Sequence, residues 1–302
     1  MDFKTRFAQF SNPCYFSRVD ANHILDLHIG INELGQKSIE FRYPFTARKI
    51  KGTKSIEVSQ YKNSNYNTLR FSLVEKALED LFFKFCDDIV EKTRNLQDAA
   101  LGYNAIVERF TLWKRMFVQS RDDLLSEEAI MGLMGEILYL RDVLFTKYGC
   151  CAAVEGWSGQ DKTKKDFSYG NEWYETKAIH YNKTSVIISS LEQLESQNDG
   201  VLGVVLLEKM SQSYAGLTLN DLVWNVCNQI SSAEHQDIFL QKVEKSGYSY
   251  NAAYDEYVFA KKSIRNFAVN ATFPKMTPTS VPAGIISAKY ELSLLSVADH
   301  EI

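Results

Sequence analysis

The stretch KKDFSYGNEWYETK, Lys164 to Lys177, sets three acidic residues and three lysines around a Gly-Asn pair. A two-residue Gly-Asn connection between segments rich in aromatic and charged residues predicts a β-hairpin. With Gly170 and Asn171 as the loop, Tyr169 stands opposite Glu172, Ser168 opposite Trp173, Phe167 opposite Tyr174 and Asp166 opposite Glu175. Opposed residues share one face of the ribbon, and the two-residue alternation of side chains puts Lys177 on that face as well. Opposed like charges destabilise a strand pair by up to about 1 kcal/mol, so the arrangement asks for a compensating partner. Two carboxylates at the end of a ribbon offer hard oxygen ligands suited to Mg²⁺, which binds through one or two carboxylates plus water and substrate phosphates. The lysine beside them is placed to position a water nucleophile or to stabilise charge on a phosphate. The competing reading is a solvated hairpin whose charges face water.

The elements that must position these groups can be read outward from the hairpin. Upstream, Ser126 is a good helix N-cap, with Glu127 and Glu128 in the first turn, and the helical pattern continues through AIMGLMGEILYLRDVLFTKY. Its buried stripe is predicted as Ile130, Leu133, Met134, Ile137, Leu138, Leu144 and Phe145, which leaves Glu136 outside it, beside Gly132 and Gly135. Two glycines within a helix cost roughly 0.5–1 kcal/mol each relative to alanine, which suggests close approach by another chain segment or a ligand. CCAAVEGW, the two hairpin arms and TSVIISS read as strands. SLEQ, from Ser190, has capping-box spacing and predicts a helix start in which Gln193 reaches back to the cap. GVLGVVLLEKM reads as a strand, LTLNDLVWNVCNQI and EHQDIFLQKVEK as helices, and EYVFAKKSIRNFAV and AGIISAKYELSLLSV as C-terminal strands.

Nearer the start, HILDLHIGI, KSIEFRYPF, KSIEVSQYK and YNTLRFSLV predict an antiparallel β unit, residues 1–74, serving recognition or partner contact. Helical spacing follows over 75–123, a helical connector in which Phe110, Trp113 and Phe117 are expected to be core. Residues 124–302 then run helix, strands, helix, strand, helix, an α/β layer pattern.

Composition narrows the function. The chain has 302 residues, 45% of them hydrophobic, and a net charge of −4, so contact with nucleic acid would rely on local basic patches. Candidate patches are Arg48, Lys49, Lys51 and Lys54; Lys162, Lys164 and Lys165; and Lys261, Lys262 and Arg265. Five scattered cysteines without C-x-x-C spacing suggest reduced thiols, and there is no H-E-x-x-H, P-loop or G-x-G-x-x-G. The start MDFKTRFAQF lacks a signal-peptide apolar region, and the longest apolar run, near Val201 to Leu207, is too short to span a bilayer. A cytoplasmic protein is expected.

A helical glutamate, a hairpin carrying D…E-x-K, a strand and another helix is the order seen in the PD-(D/E)XK nuclease superfamily. LSEEAIMGLMGEILYLRDVLF, GWSGQDKTKKDFSYGNEWYETKAI, ISSLEQL, IRNFAVNATFPKM and AGIISAKYELSLL together resemble a bacterial PD-(D/E)XK family found among restriction and phage-defence genes. The resemblance implies an α/β, mixed α+β fold: a restriction-endonuclease-like core with a central mixed sheet flanked by helices, carrying the antiparallel N-terminal unit. It implies that Asp166 and Glu175 are the metal-binding acidic pair, Lys177 the motif lysine and Glu136 the upstream helical acid and a further metal ligand. Gln193 matches a position that supports the site in some relatives, and Lys165 stands where the nominal proline of the motif would be.

The implied activity is a Mg²⁺-dependent endodeoxyribonuclease, with Mn²⁺ as a substitute, acting on double-stranded DNA in a restriction or phage-defence system. Lys162, Lys164 and Lys165 are expected to touch phosphates. Other defence subunits or a second copy of the chain are compatible partners, and no membrane is involved. The alternative is a catalytically silent DNA-binding or assembly subunit with a nuclease-like fold. Cleavage of RNA stays open, since the chemistry at phosphorus is similar.

Overall fold

The computed structural model of the protein describes residues 1–117, 124–159 and 165–302. The chain divides into two compact units, Met1–Arg121 and Asp122–Ile302.

The first unit opens with the short helix α1 (Phe3–Phe7) and continues as strands β1 (Tyr15–Arg18), β2 (Leu27–Ile31), β3 (Lys37–Tyr43), β4 (Ile56–Lys62) and β5 (Asn67–Leu73). These form one sheet in the order β1-β2-β3-β5-β4, antiparallel throughout. Ile39 and Phe41 on β3, and Leu69 and Phe71 on β5, are buried at 1% exposure or less, so the alternation of each strand selects the core face. Helices α2 (Glu79–Thr93) and α3 (Gly102–Met116) supply the rest of that core. Phe85 and Phe110 pack on Phe71 with ring centres 5.4 and 4.6 Å away. The helices assigned from sequence to a connector therefore share a core with the sheet, and the first unit extends past residue 74 to Arg121.

The second unit is built on a four-stranded sheet of β6 (Phe167–Tyr169), β7 (Glu172–His180), β9 (Gly200–Met210) and β10 (Val258–Val269), in the order β10-β9-β7-β6. The β7–β9 pair is parallel and the others are antiparallel, so the sheet is mixed. A two-stranded sheet joins β8 (Ser185–Ile188) to β11 (Tyr290–Ser293). The helices of this unit are α4 (Glu127–Tyr139), α5 (Phe145–Tyr148), α6 (Cys150–Glu155), α7 (Leu219–Gln229) and α8 (Ala233–Lys245), with a π-helical turn over Leu140–Leu144. The fold is thus mixed α+β, with an antiparallel N-terminal sheet and a mixed sheet flanked by helices.

Three segments differ from their sequence assignment. CCAAVE is the helix α6 and not a strand: Gly149, at φ 78°, ends α5 and opens the next helix, and Ala153 and Val154 turn inward. The helix expected from Ser190 is a turn, because the carbonyls of Glu192 and Gln193 accept from the Lys165 ammonium. Of the last predicted strand only Tyr290–Ser293 pairs, against β8.

Candidate active site

The hairpin has the expected register, with Phe167 opposite Tyr174, Ser168 opposite Trp173 and Tyr169 opposite Glu172. Gly170 takes φ 61° at the turn, a conformation that costs glycine nothing. Asp166 stands just before β6. Its backbone carbonyl accepts from the amides of Ser158 (2.7 Å) and Gly159 (3.0 Å), while Oδ2 accepts from the Thr176 amide at 2.7 Å. One residue before that anchor, Glu175 is buried at 1% exposure, and its Oε1 accepts from Lys177 Nζ at 2.7 Å.

Glu136 reaches the same place from α4, whose Ser126 cap accepts from the Ala129 amide. Two glycines let this helix lie close against the sheet. A Cβ on Gly135 would sit 2.6 Å from that of Ala178 on β7, and one on Gly203 of β9 would sit 2.2 Å from the Tyr139 ring. Gly132 has no atom within 4 Å of where its Cβ would be, so of the two helix glycines Gly135 is the one that packing requires. Glu136 Oε2 accepts from the indole N–H of Trp157 at 2.8 Å, and Trp157 is itself fully buried against Phe167 and Phe239. Gly159 lies between the acids: a Cβ there would stand 2.9 Å from Asp166 Oδ1 and 3.6 Å from Glu136 Oε2.

Three carboxyl groups and one ammonium therefore meet in a largely desolvated place. Burial, and then the charge of Asp166, push the carboxyls of Glu136 and Glu175 up to about 8. The Trp157 N–H opposes this for Glu136, and Lys177 opposes it for Glu175. Burial also raises Asp166, against the pull of Lys177 and the Thr176 amide. Each acid has one oxygen engaged; the other oxygens, Asp166 Oδ1, Glu175 Oε2 and Glu136 Oε1, accept no hydrogen bond from the described residues. Such an excess of hard oxygen donors fits a divalent cation. Among the described residues no group of three or more His, Cys, Asp and Glu side chains forms a ready cage, so the fit is to an ion whose shell is completed by water and phosphate oxygens.

The remaining predicted residues are placed differently. Gln193 spends its side-chain carbonyl on the Ser189 amide at 2.7 Å, within its own turn. Lys165 turns inward: its ammonium lies 3.0 Å from the Glu192 carbonyl, bonds that of Gln193 and stands 4.0 Å from the Trp173 ring centre. Lys162 and Lys164 lie outside the described residues. Two contributors were not singled out from sequence, the Trp157 indole and the Thr176 amide. The one signal for Trp157 was its place in GWSGQD, directly before the hairpin.

A family model described as "Putative PD-(D/E)XK family member, (DUF4420)" matches residues 8–295, and the chain belongs to that family. No curated protein and no solved structure matches it. Among the described residues no helix is long and apolar enough to cross a membrane.

Proposed function

We propose, with that membership as the premise, that the chain is a Mg²⁺-dependent endonuclease hydrolysing phosphodiester bonds of double-stranded DNA in a restriction or phage-defence system. The observation that carries the reading is the excess of carboxylate over ammonium among Asp166, Glu175, Glu136 and Lys177, with one oxygen of each acid left without a hydrogen bond by the described residues. Asp166 and Glu175 would hold the cation, and Glu136, fixed by Trp157, would orient a water of its shell. When bound, the ion would supply positive charge at the scissile phosphate and the leaving oxygen. Lys177, kept at the site by its bond to Glu175, orients the attacking water and stabilises charge on the phosphate. Water forms the new bond to phosphorus as the bond to the leaving oxygen breaks.

The N-terminal unit serves recognition in this reading. Arg48, Lys49, Lys51 and Lys54 make no ion pair among the described residues, which leaves four cations available to phosphates or an acidic partner.

The test is incubation of methylated and unmethylated duplex DNA, and of RNA, with the chain in chelator, Mg²⁺ or Mn²⁺. Cleavage is expected only with metal, and Asp166→Ala, Glu175→Ala and Lys177→Ala should each abolish it. Lys177→Ala should retain most Mg²⁺ affinity, because an ammonium ligates no cation. Variants lacking either acid that cut at the wild-type rate would sink the proposal. Metal-independent DNA binding without cleavage would favour the silent-subunit reading.

A further inference from the structure

The second unit holds a cleft of about 550 Å³, lined by residues 195–197 and by Ala271, Lys275, Thr277 and Thr279. That volume falls within the range of roughly 300–1,000 Å³ typical of small-ligand sites. Glu195, Ser196, Gln197, Lys275, Thr277 and Thr279 give it an ammonium, hydroxyls, an amide and one carboxylate.

Both walls are tied to the candidate active site. The first follows directly on the turn whose Glu192 and Gln193 carbonyls hold Lys165, the neighbour of Asp166. The second is rooted in the core by Phe273, at 3% exposure, and its Met276 amide donates to the Tyr290 hydroxyl at 3.3 Å. Burial raises the Tyr290 phenol, and the charge of Lys177 reaches it and opposes that rise.

Inside the cleft the hydroxyls are braced. Thr277 Oγ1 lies 3.1 Å from Thr279 Oγ1, and the Thr277 amide donates to Ser280 Oγ at 2.7 Å. Lys275 is part-buried yet pairs with no carboxylate among the described residues, although Glu195 lines the same cleft. A part-buried cation beside two braced hydroxyls, without an acid partner among the described residues, is a half-built anion site.

We propose that this cleft binds the nucleotide adjoining the scissile phosphate, with that nucleotide's phosphate on Lys275 and the hydroxyls of Thr277 and Thr279. The assignment rests on the nuclease reading for the word scissile, but its test does not require cleavage.

Labelled single-stranded and duplex oligonucleotides are titrated against the full chain in chelator, by fluorescence anisotropy across a salt series. Lys275→Ala should weaken binding several-fold and reduce the slope of log affinity against log salt by about 0.7 for single strands or 0.9 for duplex, the share of one phosphate contact. Lys275→Arg should restore the slope, whereas Lys245→Ala, which removes the same charge from α8, should leave it at the wild-type value. Lys275→Gln serves if the alanine variant melts early. An unchanged slope in Lys275→Ala, or an equal fall in Lys245→Ala, overturns the proposal. A slope that falls as expected in a chain that cuts nothing with Mg²⁺ would uphold the cleft and defeat the nuclease reading instead. The strand type on which the slope falls tells whether the cleft takes single strands or duplex.

Discussion

Each unit of the chain buries carboxylates, and the two do so in opposite ways. In the N-terminal sheet Glu40 is 1% exposed, but both of its oxygens are doubly engaged. Oε1 accepts from Arg70 Nε and the Tyr61 hydroxyl, each at 2.7 Å, and Oε2 accepts from the Arg42 guanidinium at 2.8 and 3.1 Å. Arg70 also pairs with Glu33 and lies between the Phe16 and Tyr61 rings, 5.0 Å from each centre. Burial and the bond to Glu40 push the Tyr61 phenol up to about 12, so it stays a donor. Charges there are matched, two guanidiniums against two carboxylates. In the second unit one described lysine, Lys177, bonds to any of the three acids, with Lys165 acting on Asp166 and Glu175 only by its charge, and one oxygen of each acid is left without a hydrogen bond by the described residues. A matched buried network is complete in itself, whereas an unmatched one is stable only with its acids protonated or with a cation added.

The sharpest break in this comparison comes from removing one charge on each side. Glu40→Gln leaves two guanidiniums without their shared carboxylate and should cost about 3–5 kcal/mol, the usual loss when one partner of a buried pair is removed. Glu175→Gln, made without metal, replaces a carboxyl that burial already holds protonated below about pH 8, and leaves a lysine that is 17% exposed to turn toward water. Its apo stability should stay within about 1 kcal/mol of wild type or rise. Calorimetric melting of both variants in chelator decides: if Glu175→Gln melts far below wild type and Glu40→Gln does not, the two networks have been assigned the wrong way round.

A second, smaller difference is in pH dependence. The carboxyls of Glu136 and Glu175 are raised from 4.5 to about 8 in the folded chain. Between those values the folded state keeps protons that the unfolded state has lost, so their contribution to stability is full below about pH 4.5 and is lost as pH rises through about 8. The apo protein should therefore lose stability across that window. Saturating Mg²⁺ should oppose the loss and release protons on binding, because carboxylates must ionise to ligate. The double variant Glu136→Gln, Glu175→Gln should flatten the apo profile. A wild-type profile already flat from pH 5 to 8 would mean that these acids are ionised throughout and the site is more hydrated than its burial implies.

How much of this was legible in the sequence depended on the range of the contacts involved. The hairpin register follows from a two-residue turn and a two-residue alternation, which leave no slack, so Asp166, Glu175 and Lys177 could be placed together from local rules. Ser126 was readable for the same reason, and so was the need for close packing near Gly135. CCAAVE was not, because a short run of small, mostly apolar residues suits a buried strand or a short helix equally, and Gly149 decided the matter by its positive φ. The inward turn of Lys165 depends on carbonyls more than 25 positions downstream, and the sharing of a core between α2, α3 and the N-terminal sheet depends on aromatic contacts such as Phe71 to Phe110. No periodicity encodes either. The same holds for the balance of each charged cluster: Glu40, Arg42 and Arg70 alternate along strands like any polar face, and only the packed sheet shows that they neutralise one another.

The smallest expected effect tests whether Trp157 belongs to the unmatched network or merely to the packing around it. Its ring is fully buried, so Trp157→Phe keeps an aromatic filler while deleting the N–H that Glu136 Oε2 accepts at 2.8 Å. Removing a partner that orients a metal-site carboxylate typically weakens metal binding by 10- to 100-fold, and the low end, about tenfold, is expected where the carboxylate acts through a bound water. Glu136→Gln should produce a defect of the same kind, because the amide cannot carry the charge. If Trp157 works through Glu136, the double variant should be no worse than Glu136→Gln alone, giving a coupling of about 1.4 kcal/mol for that tenfold change. If Trp157→Phe weakens Mg²⁺ binding just as much in the Glu136→Gln background, the indole acts by packing on Phe167 and Phe239, and its hydrogen bond to the acid is incidental.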